Sequence, residues 1–118
     1  MSEQQDHARL HCRVEQREET VVISVSGAID LATQATFAET IQRAFQGDEQ
    51  AVVIDLTGVT FLASPGLAVL VEAQENAMRA QKDLRVAVGN DTVKRSIEIT
   101  GLAQILSLAP DLRAALDN

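Results

Sequence analysis

The chain has 118 residues, of which 46% are hydrophobic and 23% charged, the proportions of one domain built round one buried core. Its net charge is −7 and its ten basic residues are scattered, Lys94-Arg95 excepted, so no stripe exists to neutralise a nucleic-acid backbone. No apolar run is long enough to span a membrane and no basic-then-apolar leader opens the sequence, which predicts a cytoplasmic protein without direct nucleic-acid or membrane partners.

The core is aliphatic, since Trp and Tyr are absent and Phe37, Phe45 and Phe61 are the only rings. Cys12 is the single cysteine, which excludes an internal disulfide and a cysteine-rich metal site. Met1 to Asp6 read as a flexible tail.

Residues 8–15, "ARLHCRVE", and 21–26, "VVISVS", alternate apolar and polar, and "QREE" between them reads as a turn, which predicts a hairpin. Alternation points Cys12 inward with Leu10 and Val14, as an inert buried thiol, and leaves His11 on the outer face. After Gly27 and Asp30 the period changes. Phe37, Ala38, Ile41, Ala44 and Phe45 share one side of a helix that Gly47 closes in a left-handed cap. Residues 51–56, "AVVIDL", are apolar without alternation, the pattern of a central strand covered on both faces.

The next helix starts at Ser64-Pro65 and runs to about Lys82. Its buried stripe is Leu67, Leu70, Val71, Ala77 and Met78; Glu72, Glu75, Arg79 and Lys82 face water, with Glu75 and Arg79 spaced for an ion pair. A strand over 84–88 follows, then a helix capped by Asn90 or Asp91 that ends at Ile99 with a Gly101-Leu102 stop. Residues 105–108 read as a short strand, and Pro110 opens a last helix. Two strands, then alternating strands and helices, give an α/β fold: a mixed sheet with an N-terminal hairpin and parallel strands, flanked by about four helices.

Ser64 admits three readings on local chemistry. Serine is a favoured N-cap and proline a favoured first helical residue, so the pair needs no function to explain it. A serine at a strand-to-helix turn is also the setting of a hydrolase nucleophile, but Leu62 stands where that elbow has glycine, and His7 and His11 precede the serine instead of following it. No glycine-rich phosphate loop, metal-spaced cluster or cofactor motif accompanies it; Asp30 and Asp55, a possible carboxylate pair at strand ends, are explained as readily by turn chemistry. The third reading makes the hydroxyl a substrate, on a loop Thr57 to Ser64 that must reach the surface, with Gly66 leaving room for another protein's backbone. Phosphorylation there adds about −1.5 to −2 charges where helix amides tolerate an anion.

Three segments, "VSGAIDLAT" (25–33), "VVIDLTGVTFLASPGLAVLVEA" (52–73) and "TVKRSIEITGLAQIL" (92–106), resemble in order and spacing the bacterial anti-sigma factor antagonists of the STAS-domain family. The resemblance implies one STAS-like domain over 1–118, no catalysis, no cofactor and no metal. It implies as partner an anti-sigma factor with ATP-dependent serine kinase activity, which the unphosphorylated antagonist binds and which ends the interaction by phosphorylating a serine.

The family motif at that serine is Asp-Ser-Ser/Thr-Gly-Leu. Here Ala63 replaces the Asp, Ser64 is the phosphoacceptor, Pro65 replaces the second hydroxyl residue, and Gly66 and Leu67 agree, with the amides of Gly66 and Leu67 free to receive an anion. With Asp30, Thr57 and Thr60 these form the implied partner-binding set; Thr57 and Thr60 are secondary acceptors or local hydrogen-bonders. The two replacements also support a second reading: an unphosphorylated STAS adaptor subunit of a signalling or transport complex.

Overall fold

The computed structural model describes residues 10–117; the tail over 1–6, His7 and the first two residues of the first expected strand lie outside them. Strand β1 (Leu10–Arg17) and strand β2 (Thr20–Ile29) form the expected antiparallel hairpin, closed by Glu18 and Glu19, with Glu18 at φ 55°. Helix α1 (Gln34–Ala44) follows, then β3 (Ala51–Leu62), helix α2 (Ser64–Ala80), β4 (Asp83–Ala87), helix α3 (Asp91–Ile99), a 3-10 turn (Leu102–Gln104), β5 (Leu108–Ala109) and helix α4 (Leu112–Asp117). The five strands lie in chain order, β1 antiparallel to β2 and every later neighbour parallel.

Strand periodicity divides the apolar residues between the two faces of the sheet. Val21, Ile23 and Val25 of β2 and Val52, Ile54 and Leu56 of β3 join the large core, with Phe37 and Ile41 of α1, Leu67 and Leu70 of α2, and Val93 and Ile97 of α3. On the other face Val22, Val53, Ala87 and Ala109 meet Ala115 of α4. β3 is therefore covered on both sides along 52–54, as its unbroken apolar run predicts.

Several local expectations are corrected. Gly47 is not a left-handed cap: α1 ends at Phe45 in a right-handed conformation, and the Lys82 ammonium donates to the carbonyls of Gly47 (2.6 Å) and Phe45 (3.0 Å). Lys82 is thus a cation at a helix C-terminus instead of a solvated residue. The left-handed cap belongs to α2, at Gln81 (φ 59°), where the Lys82 amide reaches back to the Ala77 carbonyl (2.9 Å). Met78 is 69% exposed and leaves the core to Val69 and Ala73, and Arg79 bonds the Asn76 side chain instead of Glu75.

Val14 is likewise exposed, whereas Leu10 and Cys12 pack against the core. Asn90 caps α3 as expected, accepting from the Val93 amide (2.9 Å), and Gly101 takes the left-handed stop at φ 80°. The last helix begins two residues beyond Pro110, with Asp111 accepting from the Ala114 amide (2.8 Å).

Candidate functional site

The site is built where β2 and β3 outrun the rest of the sheet. β4 ends at Ala87, opposite Asp55, yet β3 continues to Leu62 paired with β2 alone, through register shifts at Ser24/Ser26 and Gly27/Ala28. Residues 57–62 are accordingly strand and not the expected loop. Gly58 makes this possible: a Cβ there would lie 3.0 Å from Ser26 Cβ and 3.2 Å from the Val25 carbonyl, so a bare backbone lets the strands stay together through the irregularity. On its other edge the projecting strand is held by Asn90, whose amide donates to the Val59 carbonyl (3.0 Å).

The last paired position is Ile29 opposite Leu62, and the Ala63 amide donates to the Ile29 carbonyl (2.9 Å). That bond fixes Ala63 in an extended conformation (φ −88°, ψ 170°) and makes it the N-cap of α2, without any side-chain cap. Ser64 is therefore the first helical residue and Pro65 the second, one place later than expected, at a position where a missing N–H costs nothing. Ser64 is exposed and its hydroxyl forms no hydrogen bond with the described residues, so the capping reading fails. Nor does any histidine or carboxylate among the described residues hold it as a base would.

Its neighbours are less open than expected. The Gly66 and Leu67 amides both donate to the Ala63 carbonyl, at 2.9 and 3.2 Å, and are not free for an anion. Both residues are buried: a Cβ on Gly66 would lie 2.6 Å from Ile29 Cγ2 and from Leu62 Cδ1. Glycine here lets the helix rest on the sheet instead of admitting a partner's backbone.

Asp30 follows Ile29 as Ala63 follows Leu62, so Asp30 and Ser64 leave the same end of the sheet. Its Oδ1 accepts from the amides of Ala32 (3.0 Å) and Thr33 (3.1 Å), and the Thr33 hydroxyl accepts from the Asp30 amide (3.0 Å) while donating to the Ala28 carbonyl (2.8 Å). The carboxylate closes the turn into α1. Asp55 makes no pair with it. It sits inside β3, nearly buried, and accepts from the Thr57 hydroxyl (2.7 Å) and amide (3.0 Å). Thr57 is thus locally bonded, whereas exposed Thr60 has no side-chain partner among the described residues.

Two residues of this surface escaped the sequence reading: Leu31 is 79% exposed and Phe61 is 52% exposed. Phe61 pairs with Ala28, next to Leu62, and Leu31 follows Asp30. Strict alternation would put Phe61 on the face of buried Val59; the register shift between Gly27 and Ala28, which leaves Thr60 without a cross-strand partner on β2, turns Phe61 outward instead, and no local sequence signal marks it. No helix among the described residues is long and apolar enough to cross a membrane, and no group of three or more acidic, His or Cys residues there is arranged to hold a metal.

Comparison with known proteins bears on the fold. The family model for the STAS domain matches residues 11–115. The anti-sigma-F factor antagonist RsfB of Mycobacterium tuberculosis is 38% identical over 95 residues, covering 80% of this chain and 77% of its own. The anti-sigma-B factor antagonist of Listeria monocytogenes is 36% identical over 87 residues, covering 73% and 75%. An anti-sigma factor antagonist from Mycobacterium paratuberculosis superposes with a TM-score of 0.88 at 32% identity, over 93% of both chains.

Proposed function

The chain belongs to the STAS domain family, and from that premise we propose that it is an anti-sigma factor antagonist, a cytoplasmic binding protein without catalysis of its own. It engages an anti-sigma factor, so that the sigma factor held by that partner is freed, and the partner's ATP-dependent serine kinase activity ends the engagement at Ser64. In that step Ser64 Oγ takes the γ-phosphoryl group of ATP, ADP departs, and the hydroxyl proton passes to a base on the kinase.

The observation that carries the reading is the Ser64 hydroxyl itself: exposed, without a hydrogen-bond partner among the described residues, and on the first residue of α2, where the positive end of the helix dipole favours an added anion. The docking surface comprises the Asp30 turn, Thr57, Thr60, Ala63, Ser64 and Pro65, with Gly66 and Leu67 supporting it from behind. Incubation with each ATP-binding anti-sigma factor of the host and Mg-ATP adds one phosphate to the peptide containing Ser64 with the cognate partner, and none in Ser64→Ala.

Ala63 and Pro65 favour one other reading, an adaptor that is never phosphorylated and acts by constitutive binding. Tight association with a protein lacking a kinase fold, together with an unmodified Ser64 peptide from the native host, selects the adaptor and rejects the switch.

A further inference from the structure

Leu31 stands two residues beyond Ile29 on one strand, and Ser64 two residues beyond Leu62 on its neighbour, so both emerge from the last rung of the β2–β3 ladder, with Phe61 beside them on β3. The surroundings are unusual for a protein of which 23% is charged. Residues 56–71 carry no charged side chain, and residues 20–38 carry only Asp30, whose carboxylate is engaged in its own turn. The exposed side chains there include Leu31, Ala35, Thr57, Thr60, Phe61 and Ser64: uncharged, with one aromatic and one large aliphatic residue. Depletion of charge around an aromatic anchor marks the buried centre of a protein interface.

Resting on the assignment of Ser64 as phosphoacceptor, we infer that Leu31 and Phe61 are the apolar anchors for an uncharged patch of the anti-sigma factor, and that the phosphate releases this partner through the cost of burying its charge, not through repulsion of acidic groups. Neither segment offers a Lys or Arg to pair with a phosphate, and the Gly66 and Leu67 amides already have acceptors. An anion at Ser64 keeps its hydration only while the surface stays open to water; docking strips that water, and neither segment holds a cation to replace it. The acidic residues that give the chain its charge of −7 lie outside these two segments, Asp30 excepted.

The two mechanisms differ in their response to salt. Repulsion between separate charges fades as the screening length falls from roughly 10 Å near 0.1 M to about 3 Å at 1 M, whereas the loss of hydration at a buried contact does not. The experiment is calorimetric titration of the full chain into the purified anti-sigma factor that phosphorylates it, without ATP, from low to high sodium chloride. Phe61→Ala is expected to weaken binding about 30-fold and Leu31→Ala severalfold, with melting temperatures near wild type because both side chains are exposed.

Ser64→Glu is expected to bind at least about tenfold more weakly than Ser64→Gln, a ratio that high salt leaves unchanged. A ratio collapsing toward one at high salt establishes repulsion and overturns the inference while leaving the switch standing. Equal loss in Ser64→Gln and Ser64→Glu overturns it in favour of bulk. Wild-type binding by both Phe61→Ala and Leu31→Glu removes the anchors, and a dimer of the chain that Phe61→Ala dissociates in sedimentation assigns the patch to a second copy, overturning the inference as well. Wild-type binding by Ser64→Glu at every salt concentration instead sinks the phosphorylation switch itself.

Discussion

Gly66 of α2 lies against Ile29 of β2 so closely that a Cβ on the glycine would sit 2.6 Å from Ile29 Cγ2, with Leu62 Cδ1 at the same distance. Ile29 and Leu62 are both buried and have no open side to retreat into. Alanine would gain about 1 kcal/mol of helix propensity over glycine, but overpacking costs about 1–3 kcal/mol. Gly66→Ala is therefore expected to lower the melting temperature by several degrees and to shift the start of α2, read as chemical-shift changes at Ala63 and Ser64. A melting temperature at or above wild type would show that the contact relaxes freely.

Ser64 and Asp30 leave neighbouring strand ends but have opposite weight in the fold. The Ser64 hydroxyl has no partner among the described residues, so Ser64→Ala should change unfolding free energy by less than about 0.5 kcal/mol, well below the loss of a serine cap. Asp30→Ala removes the acceptor of two turn amides and is expected to cost about 1–2 kcal/mol in urea denaturation, with Asp30→Asn costing less because one acceptor oxygen survives. If Ser64→Ala loses as much as Asp30→Ala, the hydroxyl has a structural role that contradicts its exposure.

The parts of the fold set by local chemistry were legible in the sequence: the alternation of "VVISVS", the doubly covered "AVVIDL", the cap at Asn90 and the left-handed stop at Gly101. The errors fall where a distant strand or helix overrides a local preference. Gly58 resembles turn chemistry, yet it keeps β3 on β2 and prolongs the strand by six residues beyond Leu56. Serine is a far better cap than alanine, but the bond from Ala63 to Ile29 fixes where extended chain ends, and the cap falls on Ala63. Lys82 was assigned to solvent because nothing local places it at the end of a helix 37 residues earlier. Motif spacing singled out Ser64, but the absence of a partner for its hydroxyl among the described residues and the exposure of Leu31 and Phe61 depend on which faces the completed sheet leaves uncovered.

Asn90 serves two elements at once, its Oδ1 capping α3 at the Val93 amide and its Nδ2 holding the projecting half of β3 at the Val59 carbonyl. A serine retains the capping acceptor and loses the reach to β3. Asn90→Ser should therefore be milder than Asn90→Ala, the difference of about 1 kcal/mol being the cap. Hydrogen exchange should quicken around Val59 to Phe61 in both variants, and at the start of α3 in Asn90→Ala alone. Uniform quickening in both would mean that one cooperative unit carries the two contacts.

Cys12 tests the packing of β1 against α1. Burial pushes its thiol pKa up from the ordinary value, with a hydrogen bond to Thr40 acting in the opposite, weaker direction. The folded protein thus disfavours the thiolate relative to the unfolded chain. The resulting stability is complete below the unfolded thiol's pKa, near 8.5, and declines as pH rises toward the raised folded value. Alkylation of native Cys12 by iodoacetamide at neutral pH is expected to be slower than that of the urea-unfolded chain, because thiolate is the reacting species and is scarcer when folded. Thr40→Val removes the bond that favours the thiolate and should slow the native reaction further. Faster alkylation in Thr40→Val would mean that the threonine shields the sulfur from reagent instead of stabilising its charge, which would reverse its assigned role.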